Sequence, residues 1–302
     1  MLTEPEQALI KRWNDFAAQP RDNITKFRAD LERFCIEMGL NADLPSMGAL
    51  HENVELRDGL HADVAVPKDD GPHPVVVYLH GGGWMAGSPR THRKVGMKFA
   101  EQGYLTINVD YRLAPENPFP AGFDDCVFAA KWAKENAQRW NGDPSWLVMG
   151  GDSAGANLTA AALLLLAGDS NAPKFRAAIL IYGVYDFPSV LERAAATQRE
   201  RVIQGMTLGY LGVEYTAALK DLRVSPLRAI KAGTLPPSFV ICGSADNFLP
   251  ESRSITSALR EAGIPCESHE VADMPHAFMM MDSLSACREG QRLMFDFLRR
   301  NL

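Results

Sequence analysis

The chain has 302 residues, 46% of them hydrophobic and 23% charged, enough to bury a sizeable core as one large domain with an elaboration or as two small ones. Its net charge of −6 and the lack of any Lys/Arg block argue against nucleic acid or an anionic membrane surface as a partner.

The chain opens with two helical patterns. Thr3 and Glu6 fit a capping box; Leu9, Trp13 and Phe16 recur at helical spacing, and Phe27, Leu31, Phe34 and Met38 repeat it. Each helix has one apolar face and no strand yet to pack on, so the segment 1–50 is expected to lie over the fold built later, either as a lid on a pocket or against its back. From Glu52 the pattern alternates: Val54–Leu56 and Ala62–Val66 around Asp58-Gly59 read as a hairpin, and Pro74–His80 as a fully buried strand. Further strands are expected near Leu105–Asp110, Trp146–Met149, Ala177–Tyr182, Phe239–Cys242 and Glu267–Val271. Helices are expected near Arg93–Gln102, Asp124–Gln138, Ala154–Ala167, Pro250–Ala262 and Ser285–Arg300. This alternation predicts an α/β fold, a mostly parallel sheet covered on both faces, with functional groups at the carboxyl ends of the strands. From about 186 to 223 the rhythm breaks into a charged, helix-prone insertion without a strand, a second candidate for a lid.

Gly151-Asp152-Ser153-Ala154-Gly155 follows the apolar run Trp146–Met149 and precedes an Ala/Leu-rich helix. G-x-S-x-G in that setting reads as a nucleophile elbow: a strand reverses into a helix so sharply that Ser153 sits exposed at the apex, and a Cβ at Gly151 or Gly155 would clash. The strand ending at Leu79 runs into His80-Gly81-Gly82-Gly83-Trp84, whose uncovered main-chain N–H groups suit an anion, as an oxyanion hole requires.

HGGGW at 80–84, DYRLAPE at 110–116 and GDSAG at 151–155 together resemble the hormone-sensitive lipase-like family of α/β-hydrolase esterases, in order from about residue 50 onward. The resemblance implies an eight-stranded core over residues 51–302, a cap built from the N-terminal helices and the insertion, and carboxylester hydrolysis without a cofactor or metal. It further implies oxyanion N–H groups from Gly82, Gly83 and Ala154, with His80 holding the glycine loop. Dimers are common among such esterases, but no interface is legible in this sequence.

A serine hydroxyl needs a base within hydrogen-bond reach and a third group to fix that base's tautomer. In this fold the chain order is Ser, acid, His. His269 sits within a strand and the other histidines except His276 precede Ser153, so His276, in the loop 273–278, is the candidate base. Asp246, after the strand Phe239–Cys242, is the candidate acid, with Asp186 and Asp273 as rivals. Here the chain departs from the resembled family, whose members usually have Pro and Leu after this Asp: Asn247-Phe248-Leu249 stands instead. Asp152 is expected to point away from Ser153 and act structurally. Trp84, Tyr185 and Phe278, with Met279–Met281, are expected pocket walls.

The reading is a serine carboxylesterase for small-molecule esters with short-to-medium acyl chains. An arylformamidase-like amide hydrolase and a non-catalytic receptor on the same fold are the alternatives; a peptidase would need an accessory domain to select peptides. Cys35, Cys126, Cys242, Cys266 and Cys287 are odd in number and lack C-x-x-C spacing, so they read as reduced thiols. The N-terminus carries charges where a signal peptide needs its apolar stretch, and the apolar run near Ala160–Ala167 is too short to span a bilayer, so a cytoplasmic location is expected.

Overall fold

A computed structural model describes residues 2–19, 23–193, 198–212, 215–219 and 221–302. Its elements run α1 (Glu4–Ala17), α2 (Ile24–Glu37), β1 (Ala49–Arg57), β2 (Leu60–Val66), β3 (His73–Leu79), α3 (Arg93–Glu101), β4 (Leu105–Asp110), α4 (Ala121–Asn136), β5 (Gly142–Asp152) and α5 (Ala154–Ala167). There follow β6 (Phe175–Ile181), α6 (Phe187–Arg193), α7 (Gln198–Leu211), α8 (Tyr215–Ala218), β7 (Ser238–Gly243), α9 (Leu249–Glu261), β8 (Cys266–Val271) and α10 (Ser285–Asn301). The eight strands form one sheet in the order β1-β2-β4-β3-β5-β6-β7-β8. β2 pairs antiparallel with β1 and with β4, and every other pairing is parallel. Every expected strand is present, and the hairpin turns at Asp58-Gly59 with Arg57 opposite Leu60.

Two cores lie on opposite faces of this sheet, because successive side chains of a strand point opposite ways. Val75, Val77 and Leu79 of β3 join α4, α5, α9 and the inserted residues Phe187, Val190, Tyr210 and Leu211. Val76 and Tyr78 of the same strand join α3 and α10, together with Trp13, Phe16, Phe27 and Phe34 of the N-terminal helices. β5 is longer than its apolar run suggests: it continues through Gly150 and Gly151 to Asp152, because parallel pairing with β3 and β6 holds an extended backbone even where the side chains vanish.

The capping box at the start of α1 forms, and Glu6 reaches further. Its Oε2 accepts the Thr3 N–H at 3.0 Å, while Oε1 accepts the Ser285 N–H and hydroxyl, each at 2.8 Å, joining α1 to the start of α10. These donors hold the Glu6 carboxyl down at about 2. Phe16 stacks on Phe34 at 4.1 Å, so α1 and α2 pair through their aromatic faces. The expected insertion contains α6, α7 and α8, with residues 194–197, 213–214 and 220 outside the described set. Among the described residues, no helix is long and apolar enough to cross a membrane.

Candidate active site

β5 ends at Asp152 and α5 begins at Ala154, leaving the chain one residue in which to reverse. Ser153 takes that turn at φ +53° and ψ −115°, a conformation that costs a non-glycine residue about 1–3 kcal/mol and so must be held by its surroundings. The holding is steric: a Cβ on Gly151 would lie 2.4 Å from the Leu79 carbonyl oxygen, and one on Gly155 1.8 Å from it. Ser153 N–H donates to the Ile181 carbonyl at 2.8 Å, fixing the apex against β6.

The loop after β8 brings His276 over this apex. Its Nε2 lies 2.9 Å from Ser153 Oγ and its Nδ1 2.7 Å from Asp246 Oδ2. A carboxylate accepts only, so Nδ1 carries the proton and Nε2 is free to receive one from the serine. Asp246 is itself oriented, because its Oδ1 accepts the Phe248 N–H at 2.9 Å. The two loops are fastened together: Ala245 N–H donates to the Met274 carbonyl at 3.1 Å, and Ser244 N–H to that of Val271 at 2.8 Å. The rival acids lie elsewhere. Asp186 pairs with Arg228 at 2.8 Å, and Asp273 occupies a turn at φ +61° whose N–H donates to Ser244 Oγ.

The glycine loop crosses the carboxyl end of β3. Gly82 at φ +128° and Gly83 at φ +64° need their missing Cβ, which at Gly82 would fall 2.0 Å from the Ala86 carbonyl oxygen. Gly82 and Gly83 line the cavity together with Ser153, and Ala154 follows Ser153 directly as the first residue of α5. Behind the loop lies a buried polar group. Asp152 Oδ1 accepts the Tyr78 hydroxyl at 2.9 Å and the Gly81 N–H at 3.0 Å, and stands 3.3 Å from His92 Nε2. Burial alone would raise the Asp152 carboxyl; His92 and Tyr78 hold it below the ordinary carboxylate range instead. His80 stacks on Tyr111 at 4.3 Å and donates Nδ1–H to the Gly81 carbonyl at 2.8 Å. Burial and neighbouring His92 push its imidazole down to about 3, so it stays neutral. Asp152 and His80 therefore sit where the sequence places them, as supports of the loop.

The cavity holds about 120 Å³, and both expected lid segments border it: Trp13, Phe16, Phe27, Leu31 and Cys35 from α1 and α2, and Met206 from α7. Trp84 is a wall, as expected. Tyr185 and Phe278 are not. Both are fully buried, because neighbouring residues take the outward positions: Val184 faces the cavity while Tyr185 turns inward against Gly183, and the short turn Phe278–Met280 sends Phe278 onto Tyr182 and Met280 outward. Sequence reasoning also missed Asn247, Phe248 and Cys35 as lining residues. The first two carry a signal in their departure from the resembled pattern; a lone cysteine on a helix carries none.

A family model described as the α/β hydrolase fold matches residues 76–280. Among characterised relatives, the carboxylesterase NlhH of Mycobacterium tuberculosis is 35% identical over 214 residues, which is 68% of this chain and 66%, just under two thirds, of that protein. Solved structures cover nearly the whole chain. The hyperthermophilic esterase from the archaeon Pyrobaculum calidifontis superposes with a TM-score of 0.88 at 25% identity, over 99% of this chain and 98% of that one. An esterase from the bacterial hormone-sensitive lipase family superposes with a TM-score of 0.83 at 30% identity, over 100% and 99%. The chain thus belongs to the α/β-hydrolase fold family and, within it, to the hormone-sensitive lipase-like esterases.

Proposed function

We propose that the protein is a serine carboxylesterase acting on esters with short-to-medium acyl chains through an acyl-enzyme. The observation that carries this reading is the unbroken line Ser153 Oγ, His276 Nε2, His276 Nδ1, Asp246 Oδ2, with steps of 2.9 and 2.7 Å across it. Ser153 attacks the ester carbonyl as His276 takes its proton, and the N–H groups of Gly82, Gly83 and Ala154 hold the oxyanion. His276 then protonates the departing alcohol. A water molecule, deprotonated by the same imidazole, attacks the acyl-serine, and collapse of that second oxyanion releases the acid and restores Ser153.

Met206 supports the shorter end of the chain-length range, since its methyl group sits against Gly83, 1.6 Å from where a Cβ there would be. The test is turnover of p-nitrophenyl acetate, butyrate and decanoate by wild type and Ser153→Ala, with a chelator present. Loss of about 10⁶ in kcat in the variant, with wild-type activity unaffected by the chelator, is the expected result. Equal turnover by both proteins overturns the mechanism, and a kcat/KM highest for decanoate overturns the chain-length reading. The five free thiols, four of them buried, support residence in the reducing cytoplasm, which fractionation of the native host tests.

A further inference from the structure

We propose that Phe248 selects the alcohol half of the ester, and that the substrates are neutral esters whose leaving alcohol carries an aromatic ring. This inference rests on the esterase reading above and assigns its substrate class. The leaving oxygen must come within hydrogen-bond reach of His276 Nε2 to receive its proton, so the alcohol's first carbons lie against whatever flanks that imidazole on the cavity side. Two rings flank it. Tyr182, 4.8 Å away, is fully buried behind it. Phe248 stands edge-on at 5.2 Å and an interplanar angle of 75°, and lines the cavity.

Its position is fixed, because the Phe248 N–H donates to the same carboxylate that orients His276. The aromatic character continues across the cavity in Trp13, Phe16 and Phe27, which belong to the same packed cluster as Ala277, next to the base. Lys, Arg and Glu are absent from the described lining residues, and the two lining aspartates are already engaged, Asp246 with His276 and Asp152 with Tyr78 and Gly81, so a charged alcohol finds no uncommitted counter-charge there. The volume of about 120 Å³ is comparable with the ~150 Å³ apolar cavity that holds benzene in a protein core. Ring-to-ring contacts of the kind offered here exceed plain apolar burial.

The experiment compares benzyl acetate with cyclohexylmethyl acetate, whose alcohols are similar in size and acidity and differ in aromaticity. The kcat/KM ratio of the pair is measured for wild type, Phe248→Leu and Phe248→Tyr. Wild type favours benzyl acetate, Phe248→Leu lowers the ratio about three- to tenfold, and Phe248→Tyr retains it. The p-nitrophenyl butyrate to acetate ratio, in which only the acyl half changes, stays where it was in all three. Each ratio comes from one preparation, so a misfolded fraction cancels. An unchanged benzyl ratio in Phe248→Leu, or an acyl ratio that moves as much, overturns the assignment. If wild type hydrolyses no ester, or Ser153→Ala hydrolyses as fast, the esterase reading itself falls; serine-dependent turnover with an indifferent ratio removes only the role of Phe248.

Discussion

Gly82 carries two constraints at once, a backbone dihedral that L side chains rarely adopt and a neighbour 2.0 Å from where a Cβ would stand. Gly82→Ala must therefore displace the loop that presents the oxyanion N–H groups. Activity should fall about 10²–10³-fold, the cost of one lost donor, and p-nitrophenyl acetate kinetics on the variant check it. His80 makes a different prediction, in pH. Its folded imidazole titrates at about 3, below the ordinary 6.5, so between those values the unfolded chain binds the extra proton and stability falls as pH falls. Urea unfolding of wild type at pH 7, 5 and 4 should show an acid-side loss of up to about 1.4 kcal/mol per pH unit more than His80→Asn shows; parallel curves would mean that His80 charges freely in the folded protein. The residues proposed to bear the chemistry were legible because each is bound to a motif with its own reason: Ser153 to flanking glycines, His276 to a loop in the right order. Tyr185 and Phe278 were misplaced because sequence identifies a strand end or a loop but not which of two adjacent side chains faces the cavity.

Between elements, the tie that matters most to the site is Arg28 on α2. Its Nε donates to the Met85 carbonyl at 2.7 Å and its Nη2 to that of Ala114 at 2.9 Å, while Nη1 and Nη2 reach Glu116 at 3.0 and 2.7 Å. The helix that carries Phe27 and Leu31 into the cavity wall is thus fastened to the turn following the glycine loop. Arg28→Leu should destabilise the protein by about 1.5–3 kcal/mol in urea unfolding, the range for hydrogen bonds to a charged group, and should raise KM because the wall is no longer held. A KM equal to that of wild type would show that α2 stays seated through apolar contacts alone. α7 sits on the same loop from the other direction: Tyr210 stacks on Trp84 at 4.8 Å, and a Cβ on Gly209 would meet the Met85 sulfur at 2.7 Å. Periodicity gave the existence and apolar faces of α1 and α2, and it left open whether they covered a pocket or the back of the fold. Only the tertiary partners of Arg28 and Phe27 decide between those, and no local pattern encodes partners so remote in the chain.

Across the whole molecule the cysteines report on the cap. Burial pushes the Cys35 thiol up to about 12, and Cys126, Cys242 and Cys287 are raised by the same cause. Iodoacetamide at pH 8 should therefore modify the native protein slowly, at partly exposed Cys266 before the rest, and all five sites quickly in guanidinium, as mass spectrometry of timed digests would show. Rapid native labelling of Cys35 would instead mean that α1 and α2 lift from the cavity they border. The bond between Glu6 and Ser285 joins residues 279 positions apart, with a bearing on how the protein is made. Translation delivers the helices of Trp13, Phe16, Phe27 and Phe34 first and the His276 loop and α10 that receive them last. Until α10 is made, the aromatic faces of α1 and α2 have only each other to pack on, so a chain stopped before α10 should lack the seating of these helices over the cavity and, with it, full activity.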